Sequence, residues 1–562
     1  MSIEASRHRL VVTGVILLAC GACLGLAAGE SSAQTSRLAA LGKVWGFLKY
    51  YHPGVAGGTM DWDAVLVESI PDTVAAGDPA TFDGVVRRLI QAAGGVTPLD
   101  FPELVPDDTA VEEGFEWMSD ETLFSWVTRF RLQTIKQFHQ AWPNRYAAFL
   151  GGFGNVSFKD ELPYEEMTLP TEEYRLLSLF RYWNAIRYYF PARELIGEDW
   201  DGVLAEFIPQ FREVSSVEEF HLAVCRLSAR IRDSHAALST PVLRNLWGTL
   251  MPPLFTYTLE GKVVVNLVYD SLLPAPGAVR LGDVVQAIDG VPVAERRAWL
   301  APLLAGSTPA AVELRANQLL LRGSSPVMTL RLERDGTPLE VMVPRIAQEV
   351  IEQADQAAFP GPHWRRLPEN VGFVDLTRLA SADVTRAIAG LHDTRAIVFD
   401  LRGLPESLMG PLGEALNPDV RVFAFYIWPD KEHPGRFVSA PGLTVGPTRG
   451  NSDYYRGKVV ILVDEWTHSR GEYTAMALQA SPDALVVGSQ TSGANGDVSS
   501  LPLPGGITCN FTGVSLFYPD GRGTQRVGIV ADVPVARTVL GTREGRDETL
   551  EAALAWIAAN VP

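Results

Sequence analysis

The sequence is poor in cysteine and carries no excess of basic residues. Only four of its 562 residues are cysteine, and two of these, Cys225 and Cys509, lie outside the apolar N-terminal stretch. Two cysteines this far apart are more often buried thiols than a disulfide, and no segment has the spacing of a metal site, so neither metal nor cofactor is predicted. The formal net charge of −18 excludes nucleic acid as the main partner, because like charges repel.

The N-terminal segment predicts export. A basic start precedes an apolar run from Leu10 to Ala28, and small residues that would suit a cleavage site follow it. Three alternatives stay open for residues 1–33: a cleaved signal peptide, a retained membrane anchor, or a lipoprotein-type cleavage box ending at Cys20. Each alternative places the rest of the chain outside the cytoplasm, either in the periplasm or anchored to a membrane.

Residues 37–92 and 175–230 repeat one another at a constant offset of 138. Many positions of the first copy, including Trp45, find the same residue in the second without a gap, which indicates an internal duplication. Apolar residues recur at helical spacing in both copies, and the Asp-Trp-Asp segments at 61–63 and 199–201 are predicted to begin helices with acidic first turns. Each copy is therefore predicted to be a small helical module. The first module spans 34–170 with an acidic, irregular insert, and the second spans 171–248.

Residues 249–346 change to short β-runs separated by turn signals. The segment Gly277–Val293 resembles the carboxylate-loop and strand signature of PDZ domains in secreted proteases. A PDZ-like module leaves a sheet edge open and binds an extended peptide by strand addition. The resemblance implies peptide-binding roles for Gly282, Asp283 and Ile288, and the alternative is a β-rich spacer.

Residues 347–562 alternate β and α patterns. The apolar strand Ala396–Leu401 ends in a turn at Gly403, and the strand Val459–Val463 should lie beside it. A glycine after a buried strand lets a backbone N–H point into a crevice, where an oxyanion donor is needed. Ser469 follows the second strand at a strand-to-helix turn, which favours a nucleophile, although helix capping alone is the alternative reading.

Four motifs in this order resemble the C-terminal-processing and tricorn-core serine peptidase family, which includes the tail-specific proteases. They are a helical module ending in Asp233-Ser234-His235, the PDZ-like segment, the DLRG strand-turn at 400–403 and the T-x-S-x-x-E motif at 467–472. The similarity covers roughly residues 170–560. It implies a multidomain α+β protein with duplicated N-terminal helical modules, a PDZ-like β module and a C-terminal α/β (ClpP/crotonase-like) catalytic domain.

The resemblance also implies roles for the residues around the serine. Ser469 would be the nucleophile, and the backbone N–H groups of Gly403 and Arg470 would stabilise the oxyanion. The processing-protease branch activates its serine with a lysine in the turn that here spans Gln490–Gly496. No lysine occurs in this turn, which excludes the Ser-Lys version.

The tricorn-type branch instead uses a histidine that follows a serine. By this resemblance His235 would be the general base and Ser234 would orient its imidazole. The glutamate of that branch aligns best near Gln525, and glutamine stabilises an imidazolium less than a carboxylate does. Glu472, one helical turn after the serine, is the alternative carboxylate.

The predicted function is therefore an exported serine endopeptidase that cleaves peptides or unfolded protein tails through an acyl-enzyme on Ser469. The alternative is a catalytically weak or inactive protein that binds a peptide or an apolar ligand on the same fold. Gln525 and the missing lysine motivate that alternative. The predicted partner is a peptide or an unfolded protein; membrane anchorage by the N-terminal segment and homo-oligomerisation are left open.

Overall fold

The computed structural model describes residues 32–58, 60–96, 114–139, 142–150 and 154–562. The predicted export segment lies outside these residues. Within them, no helix combines the length and the apolar character needed to cross a membrane. The described chain is a multidomain protein of mixed helices and sheets, with a helical front part, an antiparallel β unit and a C-terminal part built on a largely parallel sheet.

Each repeat contains three main helices joined by short turns. The helices span 32–51, Trp62–Ala75 and Pro79–Ala93 in the first repeat, and Glu172–Tyr189, Trp200–Arg212 and Val217–Ala229 in the second. Asp61 and Asp199 begin the middle helix of each repeat, because their side chains accept hydrogen bonds from backbone N–H groups of the first turn. The helix starts predicted from the two Asp-Trp-Asp segments are confirmed.

The first helices of the two repeats cross at equivalent positions. A β-carbon on Gly42 would lie 2.6 Å from the ring of Phe180, and one on Gly46 would lie 2.0 Å from the side chain of Asn184. Phe180 and Asn184 stand 138 positions after the two glycines that they contact. Equivalent residues that face one another mark a two-fold relation, so the repeats pack as an internal pseudodimer.

The insert between the repeats is less helical than its sequence suggests. A helical pattern extends over Phe115–Phe149, but the structure forms an α-helix only over Trp126–Gln137, preceded by the 3₁₀-helix Glu116–Ser119. Pro143 cannot continue a helix, and the chain instead pairs Ala148–Phe149 with Val156–Ser157 in a short antiparallel ladder.

The middle part of the chain forms an antiparallel sheet. Its strands lie in the order Leu254–Leu259, Lys262–Val268, Val284–Ile288, Val327–Arg334 and Thr337–Pro344, with Val291–Pro292 pairing beside the third. Two helices accompany it, Val293–Leu300 and Pro309–Leu320. The second helix is tied to the sheet by buried Asn317, whose amide donates to the Thr258 hydroxyl at 3.0 Å.

The C-terminal part is built on a six-stranded sheet. Its strands lie in the order Trp364–Leu367, Val371–Asp375, Ala396–Asp400, Lys458–Val463, Leu485–Gly488 and Val533–Pro534, and every pair after the first is parallel. The predicted pairing of the strand before Gly403 with the strand before Ser469 is confirmed. Four helices cover its two faces: Val384–Leu391, Met409–Leu416 and Arg470–Gln479 on one, and Glu548–Asn560 on the other.

One hairpin leaves this part of the chain and packs against the repeats. It pairs Val498–Leu503 with Ile507–Thr512, and its apolar residues share one core with both repeats. Cys509 of this hairpin and Cys225 are buried free thiols. The hairpin delivers Thr512 from the C-terminal part to the end of the second repeat.

The remaining elements complete the described chain. They are the helices Pro53–Ala56, Arg193–Leu195, Pro241–Trp247, Asp270–Leu272, Ala301–Leu303, Gln348–Ala358, Pro368–Asn370, Ser381–Asp383 and Val539–Arg543, and the strands Leu250–Met251, Ile346–Ala347, Arg421–Pro429, Phe437–Ser439, Leu443–Val445 and Ser515–Phe517.

Candidate active site

Ser469 occupies a strained turn between a strand and a helix. It follows Lys458–Val463, precedes Arg470–Gln479, and has a φ of 52° and a ψ of −111°, a conformation that side chains other than glycine rarely adopt. Its N–H donates to the carbonyl of Ala494 at 3.0 Å, whereas its hydroxyl makes no capping bond to the helix. This strained geometry fits the predicted nucleophile turn better than a helix cap.

His235 lies in a loop after the last helix of the second repeat. Its Nδ1 is 2.8 Å from the hydroxyl oxygen of Thr512, and that hydroxyl is 2.8 Å from Oδ1 of Asp233. The Thr512 hydroxyl has one proton, which it gives to the carboxylate, so the Nδ1–H of His235 donates to Thr512. The Nε2 of His235 therefore carries the lone pair that a general base needs.

Asp233 is fully buried and is the hub of this arrangement. Besides the Thr512 hydroxyl, it accepts hydrogen bonds from the His235 N–H at 3.1 Å, the Thr512 N–H at 2.6 Å and the Gln525 amide at 3.1 Å. Four donors suit an ionised carboxylate, which only accepts. Burial lowers the pKa of His235, so its imidazole is neutral at pH 7.

Ser234 does not orient the imidazole. Its hydroxyl donates to the carbonyl of Ser492 and accepts from the N–H of Ser307, both at 2.8 Å, and its own N–H donates to the Ser307 hydroxyl at 2.8 Å. Ser234 thus ties the histidine loop to two neighbouring loops, and the contact predicted for it is made by Thr512. The reason is that both Ser234 polar groups are engaged by backbone and side-chain partners of those loops.

Arg315, on the helix Pro309–Leu320, clamps the same loop. Its guanidinium donates to the carbonyls of Ala236 at 2.9 Å and Ala305 at 2.6 Å, and also to the carbonyl of Ser234. Burial lowers the pKa of this arginine, and the carbonyl contacts compensate for the lost hydration. The middle part of the chain therefore helps to hold His235 in place.

The two candidates for the fourth polar residue contact groups other than the imidazole. Gln525 donates to Asp233 and, at 3.3 Å, to the Ser307 hydroxyl. Glu472 is fully buried and accepts from the Gly493 N–H at 2.6 Å and from the hydroxyl of Thr491. Burial raises the pKa of Glu472 to about 7. Glu472 thus braces the 490–496 turn, whose Ala494 carbonyl receives the N–H of the serine.

His235, the predicted base, lies beside the residue that precedes Ser469 and makes no hydrogen bond to the serine. The Nε2 of His235 is buried and has no partner among the described residues, which include Ser469. The ring of His235 packs against the ring of His468, the residue before the serine, with 4.8 Å between centroids. Burial, together with the nearby His235 and Arg315, lowers the pKa of His468 to about 3, so this second imidazole is also neutral.

The two residues predicted to donate to the oxyanion lie close together, but the N–H of one of them is already engaged. A β-carbon on Gly471 would lie 3.0 Å from the Gly403 carbonyl oxygen, so the Gly403 turn lies against the start of the helix after Ser469. Arg470 opens that helix, and N–H groups in a first turn have no intrahelical acceptor. The N–H of Gly403, however, donates to the carbonyl of Leu401 at 2.8 Å.

The three residues predicted to bind peptide serve the structure of the antiparallel sheet. Gly282 has a φ of 80°, and a β-carbon there would lie 2.5 Å from Arg543. Asp283 is buried and paired with Arg334 at 2.7 Å, and Ile288 is fully buried in the core of the sheet. The turn at Gly282 therefore faces the C-terminal part of the chain.

Residues 370–535 match the model of peptidase family S41. The chain therefore contains a peptidase S41 domain, which indicates a serine-type peptidase. The matched S41 region contains the Gly403 turn, Ser469, the bracing Glu472 and the hairpin that carries Thr512. His235 lies outside it, on the second repeat.

Two known proteases match more of the chain than the family model does. A carboxyl-terminal-processing protease from Picosynechococcus sp. is 23% identical over 395 residues, which is 67% of this chain and 87% of the relative. A putative tricorn protease homolog 2 from Streptomyces coelicolor is 25% identical over 413 residues, or 67% of this chain and 32% of the relative.

Among solved structures, that of mature CPAF complexed with lactacystin superimposes with a TM-score of 0.53 at 15% identity. The match covers 69% of this chain and 99% of the CPAF chain. A second CPAF structure, of a serine-to-alanine mutant, matches with a TM-score of 0.54 at 14% identity and covers 70% and 98%. At these identities the likeness shows the fold.

Sequence reasoning missed Thr512, Arg315 and the role of Asp233. Asp233 stands two residues before His235, so its proximity was a usable signal. Thr512 and Arg315 come from a hairpin and a helix far along the chain, and no local pattern marks them. The ring contact of His468 with His235 was equally invisible, because it depends on how two distant loops meet.

Proposed function

We propose that this S41 peptidase is an exported serine endopeptidase that cleaves peptides or unfolded protein tails through an acyl-enzyme on Ser469. The observation that carries the proposal is the orientation of His235. Its Nδ1–H is committed to Thr512, and its free Nε2 lies beside the residue that precedes the serine. A base with this tautomer and this position is what activation of the serine requires.

In the proposed reaction, the Ser469 oxygen attacks the scissile carbonyl carbon while its proton passes to Nε2 of His235. The C–N bond then breaks, and the imidazolium returns the proton to the leaving amine. Water attacks the resulting ester with His235 again as the base, which releases the acid and restores the hydroxyl. The N–H groups of Gly403 and Arg470 would stabilise the negative oxygen of each tetrahedral intermediate.

Two contacts must form when substrate binds. The hydroxyl of Ser469 has to reach Nε2 of His235, and the Gly403 N–H has to exchange the Leu401 carbonyl for the substrate oxygen. Catalytic hydrogen bonds are often long or absent before substrate binds and tighten in the complex. An extended peptide is suited to reorganising the Gly403 turn, because it supplies backbone groups on both sides of the scissile bond.

We also propose that Asp233 supplies the carboxylate that the tricorn-type branch takes from a glutamate. The Thr512 hydroxyl bridges the Asp233 carboxylate to the Nδ1–H of His235. Through this bridge the negative charge of Asp233 would stabilise the imidazolium formed during attack. Gln525 then acts as a neutral donor that holds Asp233 in place. A glutamine fits this position because a second carboxylate beside Asp233 would be repelled.

The proposed domain organisation follows the predicted boundaries: helical modules at 34–170 and 171–248, a PDZ-like domain at 249–346 and a ClpP/crotonase-like catalytic domain at 347–562. The antiparallel sheet with two helices supports a PDZ-like reading of 249–346. The clamp of Arg315 on the His235 loop supports a link between peptide binding there and the site. Gly282, Asp283 and Ile288 would shape the peptide-binding turn from within the fold.

The test uses an unstructured protein such as β-casein and compares the full chain with Ser469→Ala. We expect cleavage by the wild type and a loss of at least about 10³-fold in the variant, because the nucleophile is gone. Ser452→Ala, at an exposed serine of the same part of the chain, is the matched control and should cleave normally. Unchanged cleavage by Ser469→Ala, or retention of the substrate by the wild type without any cut, would contradict the proposal.

A further inference from the structure

A cavity of about 660 Å³ lies next to the loop that carries His235. It is lined by the second repeat, by the 306–309 loop of the middle part and by Arg526. Ser307 lines it and at the same time bonds Ser234 and Gln525, so one wall of the cavity is shared with the loop that positions His235. The cavity is distinct from the turn that holds Ser469.

The cavity carries more cationic groups than anionic partners. Its two carboxylates, Glu198 and Glu206, are both taken by Arg230 at 2.8–2.9 Å. Among the described residues, no carboxylate oxygen lies within 4.0 Å of the guanidinium nitrogens of Arg226 or Arg526, so neither arginine forms an ion pair there. The Nη2 of Arg526 is buried and has no hydrogen-bond partner.

Arg232 is a third cation at this cavity; it is exposed and makes only a long ion pair, at 3.9 Å, with the Glu198 carboxylate that Arg230 also binds. Both Arg232 and Arg526 line the cavity, and burial together with the nearby charge of Arg232 lowers the pKa of Arg526. In a chain of net charge −18, a group of arginines with so few carboxylate partners is unusual. An anion between these partly exposed guanidinium groups would accept charge-assisted hydrogen bonds and reduce the repulsion between them.

Arg232 and Arg526 lie on strained backbone next to the hydrogen-bonded chain Asp233–Thr512–His235, which we call the relay. Arg232 and Arg526 have φ values of 48° and 65°, in a region that side chains other than glycine rarely adopt. Arg232 directly precedes Asp233, and Arg526 directly follows Gln525. The bond between Gln525 and Asp233 therefore lies between the two strained positions, and any ligand that draws the guanidinium groups together acts on that bond.

We propose that this cavity binds a carboxylate or a similar oxyanion between Arg226, Arg232 and Arg526, and that the bound anion fixes the Asp233–Gln525 end of the catalytic relay. The binding itself is independent of the proposed function, while the effect on the relay rests on it. Two sources share this chemistry: the terminal carboxylate of a peptide, and a free multivalent anion.

The binding test uses the full chain with Ser469→Ala, so that no turnover can occur and a failure of the proposed reaction does not affect it. Calorimetry measures the affinity for citrate and for acetyl-tetra-alanine with either a free or an amidated C-terminus. We expect saturable binding that Arg526→Gln or Arg226→Gln weakens by at least about 10-fold, because a charge-assisted hydrogen bond is lost. Arg226 is on a helix, so its variant keeps the proposal testable if Arg526→Gln misfolds.

Arg522→Gln is the matched control, since Arg522 is exposed and pairs with Asp520 in its own turn at 2.7 Å. Tight binding of the acid peptide, and not of its amide, identifies the terminal carboxylate as the ligand. Binding of citrate with no difference between the peptides identifies a free anion. The proposal is overturned if neither citrate nor the acid peptide gives saturable binding, or if Arg526→Gln and Arg226→Gln bind as tightly as Arg522→Gln.

The effect on the relay is measured with the protein that retains Ser469, because turnover is then possible. At a saturating concentration of the anion that binds, kcat for an amidated peptide should rise, and Arg526→Gln should abolish that rise while Arg522→Gln retains it. An unchanged kcat at saturation would overturn the coupling.

Discussion

The two helical repeats share residues and helices but differ in where their ion pairs lie. In each repeat, one aspartate of the Asp-Trp-Asp segment binds a cation from its own repeat and one from the other. Asp63 binds Lys49 and Arg181, at 3.4 and 2.5 Å, and Asp201 binds Arg187 and Lys43, at 3.3 and 2.8 Å. These partners are themselves equivalent at the offset of 138, as a two-fold relation requires.

Burial separates the two networks. Lys49 and Arg181 have no exposed side-chain surface, and both also contact the buried carboxylate of Glu161, from the insert, at 2.7 and 3.0 Å. Asp201, in contrast, is 41% exposed. The first repeat thus contributes a closed ionic core, and the second keeps an open network and continues into the His235 loop. If His235 is the base as proposed, the first copy gives support and the second contributes to the chemistry.

The largest expected effect distinguishes the two repeats by chemistry. His235→Ala should lower kcat/KM by about 10⁴-fold or more, because the serine loses its base. His52, the buried histidine of the first repeat, accepts only a capping bond from the Gly54 N–H at 3.1 Å. His52→Asn keeps such an acceptor and should leave kcat/KM within a few-fold. Initial rates on a fluorogenic peptide measure both, and equal losses would remove the functional difference between the repeats.

The second effect concerns stability. Asp63→Asn leaves two buried cations short of a partner and should lower the free energy of unfolding of the helical part by about 3–5 kcal/mol. Asp201→Asn, at the equivalent exposed position, should cost at most about 1 kcal/mol. Urea denaturation followed by circular dichroism compares them. Equal losses would show that burial does not set the difference between the two networks.

The third effect tests the relay from Asp233 through Thr512 to His235, to which the second repeat contributes and the first does not. Thr512→Val keeps the shape of the side chain but removes the hydroxyl between Asp233 and His235. We expect kcat to fall by about 10–100-fold, since about 1.4–2.8 kcal/mol of imidazolium stabilisation and orientation is lost. Thr512→Ser should restore most of the activity. A valine variant that is as active as the serine variant would exclude the relay.

The smallest effect is the pH dependence. Burial lowers the pKa of His235 below its ordinary 6.5, so the neutral base persists as the solution becomes acidic. The acid limb of kcat/KM should therefore lie below pH 6.5, and the stability gained from the neutral imidazole is present above pH 6.5 and lost as pH falls through the lowered pKa. An acid limb above pH 6.5 would mean that the base is not buried as described.

Local patterns were enough for much of the fold. Helical periodicity with Asp61 and Asp199 as caps gave the repeats, and buried apolar runs gave the parallel strands that end near Gly403 and Ser469. These signals are local because capping and strand burial act within a few residues. The order of the strands followed because parallel neighbours end at the same edge of a sheet.

The polar geometry of the site was beyond such reasoning. Gln525 was expected to serve the imidazole, yet its amide contacts Asp233, and Ser234 contacts Ser492 and Ser307 instead of the ring. Which partner a side chain meets depends on the hairpin that carries Thr512, on the Ser307 loop and on the turn at 490–496. These segments lie 70 to 290 positions away in sequence, so only the folded chain brings them together.

In the proposed reaction, His235 of the second repeat activates Ser469. Labelling by a fluorophosphonate, located by peptide mass spectrometry, measures that activation directly. We predict rapid labelling of Ser469 in the wild type and a rate reduced by at least about 10³-fold in His235→Ala, with the fold retained by circular dichroism. Labelling of Ser469 at the same rate in both proteins would contradict the account.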